Sequence, residues 1–238
     1  MKMKKHIPNF ITSLNLLSGC VGIGLAFGGD LINASYFIGI AAIFDFLDGI
    51  AARLLNARSE FGKQLDSLAD LISFGVLPGI ILFCLLSNVF ANEEGFVMYL
   101  PFLAFLIPLF SALRLAKFNI DDRQTENFIG LPTPANALFI TSIPLIIIHQ
   151  TEKDSFIANF FSNPGLIIVL IFLLSFLLVA PIPLFSLKFK DLSWSKNYIR
   201  YIFIFISLIL FIVLFFPAIP IIIFLYILLS IINNSIKK

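Results

Sequence analysis

Long apolar blocks dominate this chain and restrict how it can fold. The chain has 238 residues, of which 59% are hydrophobic and only 13% are charged. A soluble domain of this length would be about one-quarter charged. A block of roughly 20 apolar residues can cross a bilayer, where backbone polar groups must be satisfied within the segment itself. We therefore expect membrane-spanning helices and no separate soluble domain.

Eight of these blocks have the length of a membrane span. The predicted spans are 10–28, 31–53, 66–88, 97–118, 134–150, 164–184, 199–216 and 218–233. Only residues 216–220 separate the last two blocks, so one long broken span, and a total of seven, stays open. The prediction is an all-α, polytopic membrane helix bundle that forms a single domain over residues 1–238.

Basic residues are distributed unevenly between the two ends of these spans. Fifteen of the 16 fall on the side of the N-terminus: Lys2, Lys4, Lys5, Arg53, Arg58, Lys63, Arg114, Lys117, Arg123, Lys188, Lys190, Lys196, Arg200, Lys237 and Lys238. The other side holds Lys153 with five acids: Asp30, Glu93, Glu94, Glu152 and Asp154. Cytoplasmic loops are enriched in Lys and Arg. We therefore expect both termini to be cytoplasmic, in an inner or plasma membrane.

Two further patterns in the sequence constrain the fold less than the apolar blocks do. Gly24 and Gly28, and likewise Gly75 and Gly79, are four residues apart. This spacing allows close helix packing, although it is common in apolar chains. The stretch 185–200, which carries several basic residues and Trp194, is interpreted as a cytoplasmic loop at the membrane surface.

Four aspartates lie inside the second and third predicted spans. Asp45 and Asp48 are three residues apart, and Asp66 and Asp70 are four apart, so each pair shares one face of its helix. The connection over residues 53–62 is short enough to make the two helices antiparallel neighbours. All four carboxylates are therefore expected to converge near the cytoplasmic surface.

Such a cluster of acids is costly unless its charge is offset. An aspartate deep in a bilayer costs roughly 2.5–3.5 kcal/mol on insertion scales, and clustered carboxylates also repel one another. An ion network with Arg53, Arg58 and Lys63 is the structural alternative, but these cations are too few and too near the loop. Oxygen ligands without Cys or His favour Mg²⁺, Mn²⁺ or Ca²⁺ over zinc. Four acids suit two ions, an arrangement that fits displacement at phosphorus.

Residues 45–70 read Asp-x-x-Asp-Gly-x-x-Ala-Arg, then eight residues, then Gly-x-x-x-Asp-x-x-x-Asp. This pattern, complete at its eight fixed positions, resembles the signature of the CDP-alcohol phosphatidyltransferase family. Within that family, the chain is most similar to the membrane-bound phosphatidylserine synthases. The supporting segments are 8–12, 73–78, 114–119 and 130–137. The last three predicted spans contain no motif.

The resemblance implies a role for each residue of the motif. Asp45, Asp48, Asp66 and Asp70 would bind two Mg²⁺ or Mn²⁺ ions, and Asp70 would also act as the general base. The residues implied to contact the head group of CDP-diacylglycerol are Gly49, Arg53, Ser59, Asn9 and Thr12.

The resemblance also implies a fold and a reaction. The family fold is a six-helix core, here approximately 8–184, that is often a homodimer and has a polar cavity open to the cytoplasm. The helices at 199–233 would be an addition. The implied reaction transfers the phosphatidyl group from CDP-diacylglycerol to the L-serine hydroxyl and releases CMP, in contact with membrane lipid and without nucleic acid.

Arg114 lies in an otherwise apolar span and is a candidate ligand for the serine carboxylate, because its planar guanidinium matches a carboxylate. An equal alternative is that Arg114 is a basic anchor at the end of a helix.

Three other functions are weighed against serine transfer. Glycerol 3-phosphate or inositol phosphate could be the acceptor, but a phosphate would need several basic residues in the pocket. A membrane prenyltransferase would lack the glycine, alanine and arginine positions of the motif. A cation transporter would carry acids near the midplane on several helices, whereas the four acids here lie on two adjoining ones.

Overall fold

A computed structural model describes residues 6–120, 127–149, 156–185 and 193–236. The all-α class is confirmed, with ten α-helices in the described part of the chain. They are α1 (His6–Phe27), α2 (Leu31–Leu54), α3 (Glu60–Asp70), α4 (Leu77–Val89), α5 (Leu106–Ile120), α6 (Thr133–His149), α7 (Phe156–Ser162), α8 (Pro164–Val179), α9 (Trp194–Leu214) and α10 (Ala218–Ile236). Leu71–Val76 is a π-helical segment that joins α3 to α4, and Gly95–Phe105 is a 3₁₀ helix that leads into α5.

Four described helices are long and apolar enough to cross a membrane: His6–Phe27, Glu60–Val89, Gly95–Ile120 and Asn197–Leu214. The helices α7 and α8 form a fifth span if this pair, bent by 68°, is counted as one. Two shorter apolar helices are Thr133–His149 and Ala218–Asn234. Each of the eight predicted spans therefore overlaps a helix, and four or five helices of the described part of the chain meet the requirements for a crossing.

The main differences from the predicted boundaries lie near the C-terminus. The predicted span 164–184 is too long, because α8 ends at Val179 and Pro181 and Pro183, which lack a backbone N–H, cannot continue it. The predicted loop 185–200 is wrong in its last part, because α9 begins at Trp194; residues 186–192 lie outside the described part of the chain.

A two-stranded antiparallel ribbon is an element that the sequence did not predict. It pairs β1 (Asn127–Ile129) with β2 (Pro183–Phe185), with Phe128 opposite Leu184. The ribbon joins the segment before α6 to the segment after α8. It therefore links the middle of the chain to its C-terminal part.

The last two helices are separate and fold back on one another. Phe215 has a φ of 54°, which ends α9, and α10 begins three residues later. The rings of Phe203 and Tyr226 lie 5.6 Å apart, one on each helix. Residues 199–233 therefore form two helices and not one continuous helix.

Two chain reversals orient the helices that carry the aspartates. Gly29, with a φ of +85°, follows α1, and the side chain of Asp30 caps α2 by accepting from the Asn33 N–H at 3.0 Å. At the other end of α2, Asn56 has a φ of 48° and the Ala57 N–H donates to the Ala52 carbonyl at 2.9 Å. This left-handed turn ends the helix and returns the chain into α3.

Glycines allow two close helix contacts beside the π-helical segment. A Cβ on Gly19 would lie 2.5 Å from Ser73 Oγ, so α1 packs directly on Leu71–Val76. A Cβ on Gly75 would lie 3.0 Å from Ser111 Cβ, and one on Gly79 would lie 2.8 Å from Pro108 Cδ. The predicted contact through Gly75 and Gly79 is thus confirmed.

The other predicted glycine pair makes no such contact with the described residues. A Cβ on Gly24 would meet open space, and one on Gly28 would meet carbonyls of its own helix. This pair therefore does not mediate a contact between helices among the described residues.

The apolar interior is divided into two clusters. The first lies between α1, α2, α4 and α6, and it contains four alanines among its buried residues. The second lies between α4, α5, α6, α8, the ribbon, α9 and α10, and its buried aromatic side chains are Phe139, Phe185, Phe203 and Tyr226.

Candidate active site

Three of the four aspartates meet at one point. Asp45 and Asp48 on α2 and Asp66 on α3 each place one carboxylate oxygen within 4.8 Å of the others. We call these three residues the carboxylate trio. Asp48 is buried, and Asp45 and Asp66 are half-buried. Asp70, one turn beyond Asp66, is outside this group but lies within electrostatic range of all three.

Two polar side chains of α1 bind the aspartates. Thr12 Oγ1 lies 2.5 Å from Asp48 Oδ2 and also 3.0 Å from the Pro8 carbonyl. Asn15 Nδ2 donates to Asp70 Oδ1 at 3.2 Å. Asn15 was missed at the sequence level, although Asn9, Thr12 and Asn15 form a polar stripe with a spacing of three in an apolar helix. That stripe was the available signal.

The π-helical segment fixes Asn15 from the other side. Ser73 Oγ donates to the backbone carbonyl of Asn15 at 2.9 Å, and both residues are buried. Single π-helical turns inside α-helices often occur at functional sites. Here the π-helical turn begins directly after Asp70 and ties that helix to α1.

The chemistry of the trio fits a divalent cation. All of its ligand atoms are carboxylate oxygens, the type that Mg²⁺ and Mn²⁺ prefer. Asp66 Oδ1 is buried and has no hydrogen-bond partner. A buried carboxylate oxygen without a partner is costly, and a hard cation would satisfy it.

A cavity of about 570 Å³ opens beside the trio, between α1, the end of α2 and the start of α3. Its lining includes Asp48 and Asp66 together with four of the predicted substrate contacts: Asn9, Thr12, Gly49 and Ser59. A Cβ on Gly49 would meet no atom within 4 Å, so the backbone there faces free space.

Arg53 lies just outside this cavity. Its Nε donates to the Gly49 carbonyl at 2.9 Å. It lines a neighbouring cavity of about 450 Å³ together with Asn56 and Arg58. Arg58 also lines the first cavity, so the two cavities share a basic wall.

Ser59 and Gly62 have structural tasks at the mouth of the cavity. Ser59 Oγ caps α3 by accepting from the Gly62 N–H at 3.0 Å. A Cβ on Gly62 would lie 3.0 Å from Asn9 Oδ1 and 3.2 Å from Ser59 Oγ. The glycine therefore permits the close approach of α1 and α3.

Arg114 lies in a second polar region. Its side chain is 7% exposed, its Nη1 donates to Thr133 Oγ1 at 3.4 Å, and its Nε is buried without a partner. The buried amide of Asn136 and the buried hydroxyl of Ser111 also have unpartnered atoms. We call Ser111, Arg114, Thr133 and Asn136 the Arg114 cluster. Arg114 lies within electrostatic range of Asp70, and its burial does not fit a membrane-surface anchor.

The sequence model of the CDP-alcohol phosphatidyltransferase family matches residues 5–213. This chain belongs to that family. The matched region holds the carboxylate trio, Asp70, both cavities and the Arg114 cluster. It ends within α9, so that α10 lies outside the family match.

Relatives within the family carry related names. The CDP-diacylglycerol–serine O-phosphatidyltransferase of Helicobacter pylori (strain ATCC 700392 / 26695) is 32% identical over 204 residues, which cover 85% of this chain and 80% of the relative. The Bacillus subtilis (strain 168) protein of the same name is 37% identical over 134 residues, 54% of this chain and 70% of the relative. The archaetidylserine synthase of Methanothermobacter thermautotrophicus is 35% identical over 153 residues, 63% of each.

In this chain, several basic residues lie at the same end of the bundle as the trio. Lys63 Nζ donates to the Asn119 carbonyl at 2.9 Å, and Asn119 Nδ2 donates to Ser67 Oγ at 2.8 Å. The helix α3 and the end of α5 are therefore neighbours. Outside the described residues lie Lys2, Lys4, Lys5, Arg123, Glu152, Lys153, Asp154, Lys188, Lys190, Lys237, Lys238 and the side chain of Lys196.

Proposed function

We propose that this chain transfers the phosphatidyl group of CDP-diacylglycerol to the hydroxyl of L-serine and releases CMP. The carboxylate trio carries this proposal, because it combines the family motif with an oxygen-only ligand set, and two of its members, Asp48 and Asp66, line a cavity. The cavity of about 570 Å³ lies within the usual range for small-molecule sites. The names of the serine-using relatives support the acceptor.

The aspartates would hold two Mg²⁺ or Mn²⁺ ions, with Asp70 completing the ligand set of the trio. Bound divalent cations would neutralise the pyrophosphate and stabilise charge on the phosphoryl oxygens. The side chains around the aspartates fix their orientation: Thr12 holds Asp48, and Asn15 holds Asp70. Such supporting hydrogen bonds are part of a metal site because they set the direction of each ligand.

The donor would enter with its nucleotide head group in the cavity and its acyl chains in the bilayer. The open space at Gly49 lets the head group approach the backbone of α2. Asn9, Thr12 and Ser59 present polar atoms to the cavity. Arg53 and Arg58 line the neighbouring cavity, where their positive charge suits the pyrophosphate.

Asp70 would act as the general base. It takes the proton of the serine hydroxyl, whose oxygen then forms a bond to the lipid-linked phosphorus. The bond from that phosphorus to the oxygen of CMP breaks, and CMP leaves with the electron pair. Asn15 keeps one oxygen of Asp70 in place, so position contributes more than basicity.

The Arg114 cluster would bind the acceptor. The guanidinium of Arg114 suits the serine carboxylate, and the amide of Asn136 offers an acceptor for the ammonium group. The described cluster contains one cationic side chain, which fits a carboxylate better than the phosphate of glycerol 3-phosphate or inositol phosphate.

The same proposal covers the architecture. Eight spans would cross an inner or plasma membrane, with a six-helix catalytic core at about 8–184, additional helices at 199–233 and a homodimeric assembly. Both termini and the site would face the cytoplasm. The contact of Lys63 with Asn119 supports this orientation, because it joins two basic regions at the end that holds the trio.

An acceptor screen tests the proposal. Purified protein in detergent would be given CDP-diacylglycerol and Mn²⁺ or Mg²⁺ with serine, glycerol 3-phosphate or inositol phosphate, and CMP release would be followed. We expect release with serine alone. Release with a phosphorylated acceptor and not with serine would refute the acceptor, and a folded protein that releases CMP with none would refute the reaction.

A further inference from the structure

The helix α10 binds the backbone of a single residue of the ribbon. Tyr226 donates its hydroxyl to the Phe185 carbonyl at 2.7 Å. Ser230 Oγ accepts from the Phe185 N–H at 3.4 Å and donates to the Tyr226 carbonyl at 2.7 Å. All three residues are buried. Both backbone polar groups of Phe185 are therefore satisfied by α10.

Aromatic packing fixes the same contact. The rings of Phe185 and Tyr226 meet edge to face with centroids 5.0 Å apart, and Phe203 of α9 lies 6.0 Å from Phe185. Edge-to-face pairs stabilise beyond the apolar area that they bury. The ring of Tyr226 thus packs independently of its hydroxyl, and the two contributions can be separated by mutation.

The ribbon carries this restraint to the start of α6. Its register places Ile129 opposite Pro183. Directly after β1, the Gly130 N–H donates to the Ile182 carbonyl at 3.0 Å, and the Leu131 N–H donates to the Leu177 carbonyl at 2.8 Å. The chain from β1 to Leu131 is therefore attached to β2 and to the end of α8.

Gly130 is required for this attachment. Its φ is +78°, and a Cβ would lie 2.4 Å from the Leu178 carbonyl oxygen. Two residues after Leu131 comes Thr133, the first residue of α6, whose hydroxyl accepts from Arg114. Tyr226 itself lies within electrostatic range of Arg114.

We propose that α10 sets the geometry of the acceptor site: Tyr226 and Ser230 hold the ribbon that places Thr133 against Arg114. Tyr226 is a positioning residue in this arrangement, since it acts through the ribbon. This inference rests on the proposed function in one respect, the binding of the acceptor beside Arg114. It assigns a task to residues beyond 213, where the family match ends.

The test is the variant Tyr226→Phe, which keeps the packed ring and removes the hydroxyl. We expect the KM for serine to rise about fivefold, the usual effect of one lost hydrogen bond, while the KM for CDP-diacylglycerol stays within about twofold. The matched control is Tyr198→Phe, which removes the same hydroxyl from an exposed position on α9 and should change neither KM. A general loss of stability would not raise the KM for serine selectively over the KM for CDP-diacylglycerol.

Two outcomes would overturn the inference: an unchanged KM for serine, or an equal rise in both KM values. If Tyr226→Phe does not fold, Ser230→Ala removes the other bond to Phe185 and should give the same separation of the two KM values. Equal or absent effects in that variant would also refute the inference.

Hydrogen exchange gives a readout that does not depend on the acceptor. In Tyr226→Phe, the amides of Gly130 and Leu131 should exchange faster than in the wild type, while those of α3 should not change. An unchanged rate at both amides would show that α10 does not hold the ribbon. If the amides respond but the wild type releases no CMP with serine, the proposed function fails and the link from α10 to the ribbon stands.

Discussion

The carboxylate trio and the C-terminal attachment of the ribbon are built from different kinds of contact. At the trio, the contacts join side chains to side chains. Acids are needed to bind a cation, and a hydroxyl and an amide are needed to hold the aspartates. At the ribbon, Tyr226 and Ser230 hold the backbone of Phe185. Any residue offers a backbone N–H and carbonyl, apart from proline. The first region therefore leaves a motif in the sequence, and the second does not.

The comparison also separates two tasks. The trio and its cavity, which we propose for the donor, lie in helices that follow one another in the chain. We propose the Arg114 cluster for the acceptor, and the elements that we propose to position it, β1, α8, β2 and α10, are spread over residues 127–236. Mutations in the two regions should consequently affect different kinetic parameters.

The largest effect is expected for Asp66→Asn in the trio. We expect kcat to fall by about 10³-fold, as when a group that stabilises transition-state charge is lost. Steady-state CMP release measures this, with thermal stability in detergent as a check on the fold. Glu93→Gln, which neutralises an exposed acid outside both regions, should behave like the wild type, and a similar loss in both variants would contradict the assignment.

Asp70→Asn should lower kcat by about 10²-fold or more, since general bases contribute roughly 10²–10⁴-fold. Binding of CDP-diacylglycerol should persist, because the trio and the cavity lining are intact. Calorimetric titration with the lipid in detergent would measure it. Retained turnover would remove Asp70 from the role of base.

Arg114→Ala should raise the KM for serine at least about tenfold, because it removes a buried charged partner of the acceptor. The KM for CDP-diacylglycerol should change little. Arg114→Lys keeps the charge but not the planar fork, so it should recover only part of the affinity. Equal changes in both KM values would contradict the binding of serine by Arg114 and would indicate a structural role instead.

Gly130→Ala should act on the acceptor and on stability together. The left-handed φ and the contact with Leu178 both oppose a side chain, and strained backbone costs about 1–3 kcal/mol. A lower Tm in detergent and a severalfold higher KM for serine are expected. Gly24→Ala is the matched control, because that position has open space; an equal fall in Tm for both would argue against the docked turn.

The smallest effect is expected at the cap of α2. Hydrogen bonds from Asn33 lower the pKa of Asp30 below its usual 3.8. A lowered pKa means that the ionised form stabilises the folded state above the unfolded pKa, and that this contribution is lost as pH falls through the folded value. Asp30→Ala should therefore lower Tm at pH 7 by no more than about 4 °C and make less difference near pH 3. A larger fall in Tm near pH 3 than at pH 7 would contradict the lowered pKa of Asp30.

The sequence alone predicted most of the carboxylate trio, but it did not predict the ribbon or its attachment to α10. Helical spacing was enough to bring Asp45, Asp48 and Asp66 together, and long apolar blocks located the helices. Asn15 was missed because its role depends on how α1 packs against Asp70. The ribbon was missed because its strands have three residues each and lie far apart in the chain, too short for an alternating pattern.

The central claim is that the trio holds divalent cations needed for transfer. Protein stripped with a chelator would be titrated with Mn²⁺, with bound Mn²⁺ measured by electron paramagnetic resonance and CMP release with serine measured in parallel. We predict that release stops in excess chelator, returns as Mn²⁺ binds, and that Asp66→Asn loses both. Full CMP release in excess chelator, or equal Mn²⁺ binding by Asp66→Asn and the wild type, would contradict the account.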